Sequence, residues 1–420
     1  GTDFGKPARA QQGGAAPFMN VLYRAFCRVY QFCFHLALPV LPYRQPQRLA
    51  NLDEIPALLR RLGVGSALLV TDQGLRAVGI TAGLEACLAE NGIRCAVYDG
   101  TCANPTVENV EQARALYEKE QCGCLIAFGG GSPMDCAKAV GARIAYPHRS
   151  VNQMKGLLRV LRKLPPLIAI PTTAGTGSEV TITAVITDRE KRHKYTMNSF
   201  ALIPAYAVLD PAVTFTLPPH LTATTGMDAL THAVEAYIGR STSKETRALA
   251  LRATQRIFAS LEAAFQDGQN CAARADMLAA AYEAGIAFSK SYVGYIHAVA
   301  HSLGGQYNIP HGLANAVLMP IVLEAYGAPA HKKLHEMGVA AGVALAGDTH
   351  EAGAKKFIRA IRELNERMGL PKTLAGIREE DIPQMARYAA REANPLYPVP
   401  KLMDAGELQQ FYKTVSGRRE

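Results

Sequence analysis

Three histidines, His297, His301 and His311, lie in the stretch GYIHAVAHSLGGQYNIPHG (294–312), and Asp228 and His232 lie in GMDALTHAVEAY (226–237). His297 and His301 are four residues apart, as are Asp228 and His232. In a helix each pair would share one face, about a turn apart. His311 follows a proline and precedes Gly312, which suits a side chain presented by a turn near a helix start. One carboxylate with several imidazoles is a donor set for a divalent ion such as Fe2+ or Zn2+. A single i,i+4 polar pair is usually just a solvated pair. Two such pairs and a further histidine are hard to explain that way, and they point to a metal centre. Five candidates exceed the four positions of a typical tetrahedral site, so one of them is left for a supporting or proton-transferring role.

A second constellation handles anions. In FGGGSPMDCAK (128–138) three glycines stand where an apolar run ends and a helical pattern begins. Glycines let the backbone approach a ligand closely, Ser132 is placed to cap the helix, and free amides at a helix start favour a pyrophosphate. The spacing is neither GxGxxG nor GxxxxGK[ST]. Asp72 ends LLVTD, where a carboxylate can accept from ribose hydroxyls and repel a 2′-phosphate, or can simply cap the next helix. PTTAGTGSEVT (171–181) is another polar, glycine-rich loop, and its hydroxyls suit either a cofactor contact or a helix cap.

The elements that must position these residues fall into two halves. Apolar runs at 67–72, 94–100, 124–132, 167–173, 183–188 and 206–211 alternate with helical stretches around 76–91 and 107–119, a pattern of parallel βαβ units. The runs are continuous rather than alternating, as in strands buried on both faces. After Pro218-Pro219 the strand signals nearly stop and Ala- and Leu-rich helical stretches take over. The expected fold is an α/β dinucleotide-binding domain with a Rossmann-like parallel sheet (51–217), then an all-helical metal-binding, catalytic domain (218–420). An N-terminal extension (1–50) precedes them, and the site lies in the cleft between the two halves.

Composition narrows the classes. The chain has 420 residues, 49% of them hydrophobic and 19% charged, enough for two cores. Nine scattered cysteines suggest reduced thiols in a cytoplasmic protein rather than a disulfide framework. Cys122-Gly-Cys124 lacks a second cysteine pair to complete a metal site. The net charge of +9 is spread along the chain, with small basic clusters at 1–50 and at REKRHKY (189–195). No dense basic stripe with interleaved aromatics argues for nucleic acid; a mildly basic groove for a phosphate-bearing cofactor suffices. MNVLYRAFCRVYQFCFHLALPVL (19–41) is interrupted by Arg24 and Arg28, and its clean apolar run is too short to span a membrane. It reads as an amphipathic helix packed on the body or on a partner subunit; lying in a membrane interface is the lesser reading. Residues 1–17, rich in Gly, Ala and Gln, are expected to be disordered.

Taken together, GGGSPMDCAK, PTTAGTGSEVT, LDP (209–211), GMDALTHAVEAY and HAVAHSLGGQYNIPHG resemble the iron-containing (group III) alcohol dehydrogenase family, in family order, from about residue 50 to the C-terminus. The resemblance implies that Asp228, His232, His297 and His311 are the metal ligands, with His301 unligated beside the substrate. It places Gly129, Gly130, Gly131 and Ser132 on the pyrophosphate, with Asp135 and Lys138 in the same motif. Asp72 takes the position that favours NAD over NADP. Asn104, Thr172, Thr173, Thr176 and Lys194 line the cofactor's path. Substrate-side positions such as Thr183 and Phe288 vary within the family and do not name the alcohol, and the segment before residue 50 lies outside the family pattern.

The implied reaction is reversible hydride transfer between an alcohol and NAD, giving an aldehyde or ketone, with the alkoxide held by Fe2+ or Zn2+ and His301 as proton carrier. The resemblance also implies a homodimer. A glycerol-dehydrogenase-like or dehydroquinate-synthase-like enzyme of the same architecture is the nearest alternative. A non-catalytic nucleotide- or metal-binding scaffold is a more distant one.

Overall fold

The fold is that of a computed structural model that describes residues 19–189 and 193–417. The expectation of disorder over residues 1–17, and residues 190–192 of the basic cluster at 189–195, lie outside the described residues.

The chain opens with helix α1 (Val21–Ala37). The α/β half then runs β1 (Gln47–Leu49), α2 (Glu54–Arg61), β2 (Ser66–Val70), α3 (Gln73–Ala77), α4 (Ala82–Glu90), β3 (Arg94–Tyr98), α5 (Val107–Lys119), β4 (Cys124–Gly129) and α6 (Gly131–Ala145). It closes with β5 (Gly156–Leu157), β6 (Leu167–Pro171), β7 (Thr183–Asp188), β8 (His193–Asn198) and β9 (Tyr206–Val208). Six strands form a parallel sheet in the order β1-β9-β6-β4-β2-β3. Every residue of β2, β4 and β6 is buried, because helices cover both sheet faces and each face has its own apolar core.

Three expectations are corrected here. The run at 183–188 is not a strand of the parallel sheet. It pairs antiparallel with β8 and, with β5, makes a separate three-stranded sheet. Its residues alternate between partly exposed and buried, the mark of a half-buried strand. The helix expected around 76–91 is broken into α3 and α4 across Gly79, whose φ of 73° no helix accommodates. Residues 47–49, placed in the N-terminal extension, form edge strand β1 in register with β9.

The helical half contains α7 (Pro219–Ile238), α8 (Lys244–Gln266), α9 (Cys271–Ser291), α10 (Tyr295–Tyr307), α11 (His311–Tyr326), α12 (Ala328–Ala340), α13 (His350–Arg367), α14 (Ile382–Ala393) and α15 (Ala405–Val415). A single large apolar core runs through these helices.

Helix α1 packs on this half with its polar side inward. The stretch 394–404 carries Pro395, Pro398 and Pro400, so its backbone carbonyls have no regular ladder to join and need other donors. Arg28 donates to the carbonyls of Val399 and Pro400 at 2.7 and 3.0 Å, and Arg24 to Leu402 at 3.0 Å. Gln31 donates to Tyr397 and Pro395 at 2.8 and 3.2 Å. The helix therefore turns Leu22, Phe26, Val29, Phe32 and Leu36 to solvent.

Candidate metal centre and cofactor cleft

The metal candidates come from three helices. Asp228 and His232 lie one turn apart on α7, His297 starts the second half-turn of α10, and His311 is the first residue of α11. Gly312 lets α11 begin there: a Cβ on it would sit 2.3 Å from the Thr224 carbonyl oxygen of α7. Only a residue without a side chain brings the two helices this close.

Asp228, His297 and His311 each bring one ligand atom within 4.8 Å of the others. Asp228 Oδ1 lies 3.8 Å from His297 Nε2 and 3.4 Å from His311 Nε2. The nitrogen Nδ2 of Asn315 sits among these three atoms, 2.7 Å from Asp228 Oδ1, 3.3 Å from His297 Nε2 and 3.1 Å from His311 Nε2. One amide nitrogen has two hydrogens to offer three acceptors, so the cluster is short of positive charge. His232 stands just outside it, its ring stacked between Phe288 at 4.1 Å and His297 at 4.5 Å. Its Nδ1 is buried without a partner. An under-donated ring of acceptors beside an orphaned imidazole nitrogen fits a divalent cation.

Electrostatics agree with that fit. Burial lowers the pKa of His232, takes His297 well below the usual histidine range and brings His311 down to about 4. The imidazoles are thus neutral at pH 7, the form that ligates metals. Buried Glu235, seven residues after Asp228, accepts from the amides of Gly294 and Ile296 at 2.8 Å each. Its Oε2 lies 2.6 Å from His297 Nδ1; burial pushes the Glu235 carboxyl up to about 8, and in its carboxylate form it takes the Nδ1 hydrogen and leaves the Nε2 lone pair facing the cluster.

His301 is set apart. Its side chain is 45% exposed and its ring stacks over His311 at 5.1 Å. Its Nδ1 meets Glu392 Oε1 at 2.6 Å, and Tyr397 donates to the same oxygen at 2.8 Å. Burial opposes a proton on His301, but the Glu392 carboxylate outweighs it and holds the imidazole above its ordinary pKa.

The α/β half builds the other wall. Gly130, not Ser132, is the N-cap of α6, and no side chain caps this helix. The expectation that Ser132 caps it is corrected: Ser132 lies in the first turn and its hydroxyl accepts from the Asn104 amide at 3.3 Å. Asn104, at φ 59°, also accepts from Lys194 Nζ at 2.6 Å, so these three candidates are tied together. A Cβ on Gly131 would meet Thr176 at 3.2 Å and one on Gly130 would meet Thr173 at 3.4 Å. The glycine loop thus lies against the threonine loop, where Thr172 donates its amide to the Gly129 carbonyl. Uncapped helix amides beside a side-chain-free loop fit a pyrophosphate.

Two cofactor candidates already have work inside the chain. Asp135 was expected on the cofactor, but its oxygens accept from Ser178 Oγ and the Val185 amide at 3.0 Å each. It is a strut under the loop, beside buried Lys138, which donates to Ser178, Thr181 and Thr183. Asp72 caps α3, accepting from the Leu75 amide at 3.0 Å.

Three residues around the site escaped the sequence reading. Glu235 and Asn315 had a usable signal, since each shares a helix face with a candidate ligand, three residues after His232 and four after His311. Glu392 had none.

Comparison with known proteins agrees with this architecture. Residues 47–211 match the iron-containing alcohol dehydrogenase family and residues 222–416 the C-terminal part of the Fe-containing alcohol dehydrogenase family. The chain is 41% identical over 338 residues to 1,3-propanediol dehydrogenase of Klebsiella pneumoniae, covering 79% of this chain and 87% of that protein. It is 34% identical over 338 residues to the NAD-dependent methanol dehydrogenase of Bacillus methanolicus, covering 80% and 88%. The crystal structure of a 1,3-propanediol oxidoreductase superposes with a TM-score of 0.85 at 36% identity, covering 89% of this chain and 99% of that one.

Proposed function

The chain belongs to the iron-containing alcohol dehydrogenase family, an oxidoreductase that interconverts alcohols and aldehydes with NAD and a metal, and on that premise we propose which residues do the work. Asp228, His232, His297 and His311 hold the metal, and the reading takes it to be Fe2+, with Zn2+ the competitor favoured by general affinity. Glu235 keeps His297 in its ligating tautomer. Gly129, Gly130, Gly131 and Ser132 hold the pyrophosphate, Asp72 selects NAD over NADP, and Asn104, Thr172, Thr173, Thr176 and Lys194 line the cofactor's path. The bound groups supply Lewis-acid polarisation of the alcohol oxygen and hydride acceptance by the nicotinamide.

The proton is the chain's own task. His301 does not converge on Asn315, and its Nδ1 is engaged by Glu392, which leaves Nε2 to take the hydroxyl proton of the alcohol. In aldehyde reduction the same nitrogen returns it. The observation that carries the assignment is the division among the histidines, two converging with Asp228 on Asn315 and one turned away to Glu392.

The reading extends to a cytoplasmic homodimer acting on small alcohols and aldehydes. All nine cysteines are free thiols, which supports a reducing compartment, and no helix among the described residues is long and apolar enough to cross a membrane.

The test is anaerobic purification, elemental analysis and an NADH-coupled panel of short aldehydes. The expected result is one metal per chain, turnover lost on chelation and restored by Fe2+. Full turnover in a verified metal-free preparation would overturn the assignment. His301→Ala is expected to keep its metal and slow catalysis.

A further inference from the structure

We propose that the N-terminal helix α1, which lies before the family-matched residues, is part of the catalytic apparatus because it positions Glu392 and thereby His301. The inference rests on the reading of His301 as proton carrier. The connection is short. Gln31, only 3% exposed, donates to the carbonyl of Tyr397 at 2.8 Å. The hydroxyl of Tyr397 donates at 2.8 Å to Glu392 Oε1, the atom that meets His301 Nδ1 at 2.6 Å. Arg24, Arg28 and the Tyr23 hydroxyl hold the flanking carbonyls of Leu402, Val399, Pro400 and Asn394. The stretch's own bonds at Tyr397 are two, its amide to the Ala393 carbonyl at 2.6 Å and the Val399 amide to its carbonyl at 2.8 Å, and Gln31 from α1 adds a third that fixes where Tyr397 stands. Glu392 sits at the end of α14 and reaches His301 with a long, flexible side chain. Tyr397 is the second contact that fixes it, and with it the tautomer and plane of the His301 ring.

The test measures kcat, KM and metal content of the holoenzyme in the full chain carrying Glu392→Gln, Tyr397→Phe, Gln31→Ala, and Gln31→Ala with Glu392→Gln. The expected result is a fall in kcat of roughly 10- to 100-fold for Glu392→Gln and several-fold for the other single variants, the size range of supporting contacts around reactive histidines. KM and metal content stay within about two-fold, Glu392→Asp recovers part of the rate, and the double variant is no slower than Glu392→Gln alone. Losses that multiply in the double variant, or a Gln31→Ala protein that only melts earlier with kcat unchanged, would overturn the inference. Full turnover in His301→Ala would instead sink the proton-carrier reading itself.

Discussion

The helical half and the α/β half carry their chemistry in different ways. In the first, the proposed site is made of side chains: Asp228, His232, His297 and His311, each with a reactive atom that a substitution removes. In the second, it is made largely of what side chains leave free, the uncapped start of α6 and a glycine loop pressed against Thr173 and Thr176. Asp135, a side chain that looked like a ligand contact there, instead braces the threonine loop. A side-chain site fails by deletion, whereas a backbone site fails by filling.

Substitutions in the two halves should separate accordingly. His297→Ala has the largest expected effect, loss of the metal and of at least about 10³-fold in turnover, with NADH still bound; metal analysis and fluorescence titration check it. Retained stoichiometric metal would break the contrast. Next comes Gly131→Val. Its added methyl groups meet Thr176, where the first carbon already lies at 3.2 Å. NADH binding should weaken by roughly 10- to 100-fold, the cost of misplacing a bound group by about an ångström, while metal content is unchanged. Asp72→Ala is the smallest. It removes a helix cap worth about 1 kcal/mol and should narrow the NAD-over-NADP preference about tenfold, read from kcat/KM with each cofactor.

The same contrast explains what could be read before the structure. The shared faces of Asp228 with His232 and of His297 with His301 were legible because helical periodicity turns spacing directly into geometry, whereas singling out Asp228, His232, His297 and His311 as ligands rested on the family resemblance. The continuous strands β2, β4 and β6 were legible because burial on both faces leaves an unbroken apolar run. Strand β8, HKYTMN, was missed since Lys194 and Thr196 face solvent and it belongs to the small three-stranded sheet rather than the buried parallel one. The cap of α6 was assigned to Ser132 by composition, while the backbone turned two residues earlier to place Gly130 there. Helix α1 was expected, but which of its faces packs inward, and the role of Glu392, were illegible for a common reason. Hydrophobic patterning assumes that the apolar face packs inward, whereas here a proline-rich stretch needed donors, and Arg24, Arg28 and Gln31 answered that need.

Lys138 has a consequence of another kind. Its ammonium is fully buried beneath the threonine loop, and burial brings its pKa down to about 8. A lysine whose pKa is lowered toward 8 carries more free amine near neutral pH than an ordinary lysine, and aldehydes are the electrophiles that amines capture as imines. In an enzyme that releases or consumes aldehydes, such a side chain in the open cleft would condense with its own substrate. Enclosed by Ser178, Thr181 and Thr183, it can brace the loop while staying out of the reagent's reach.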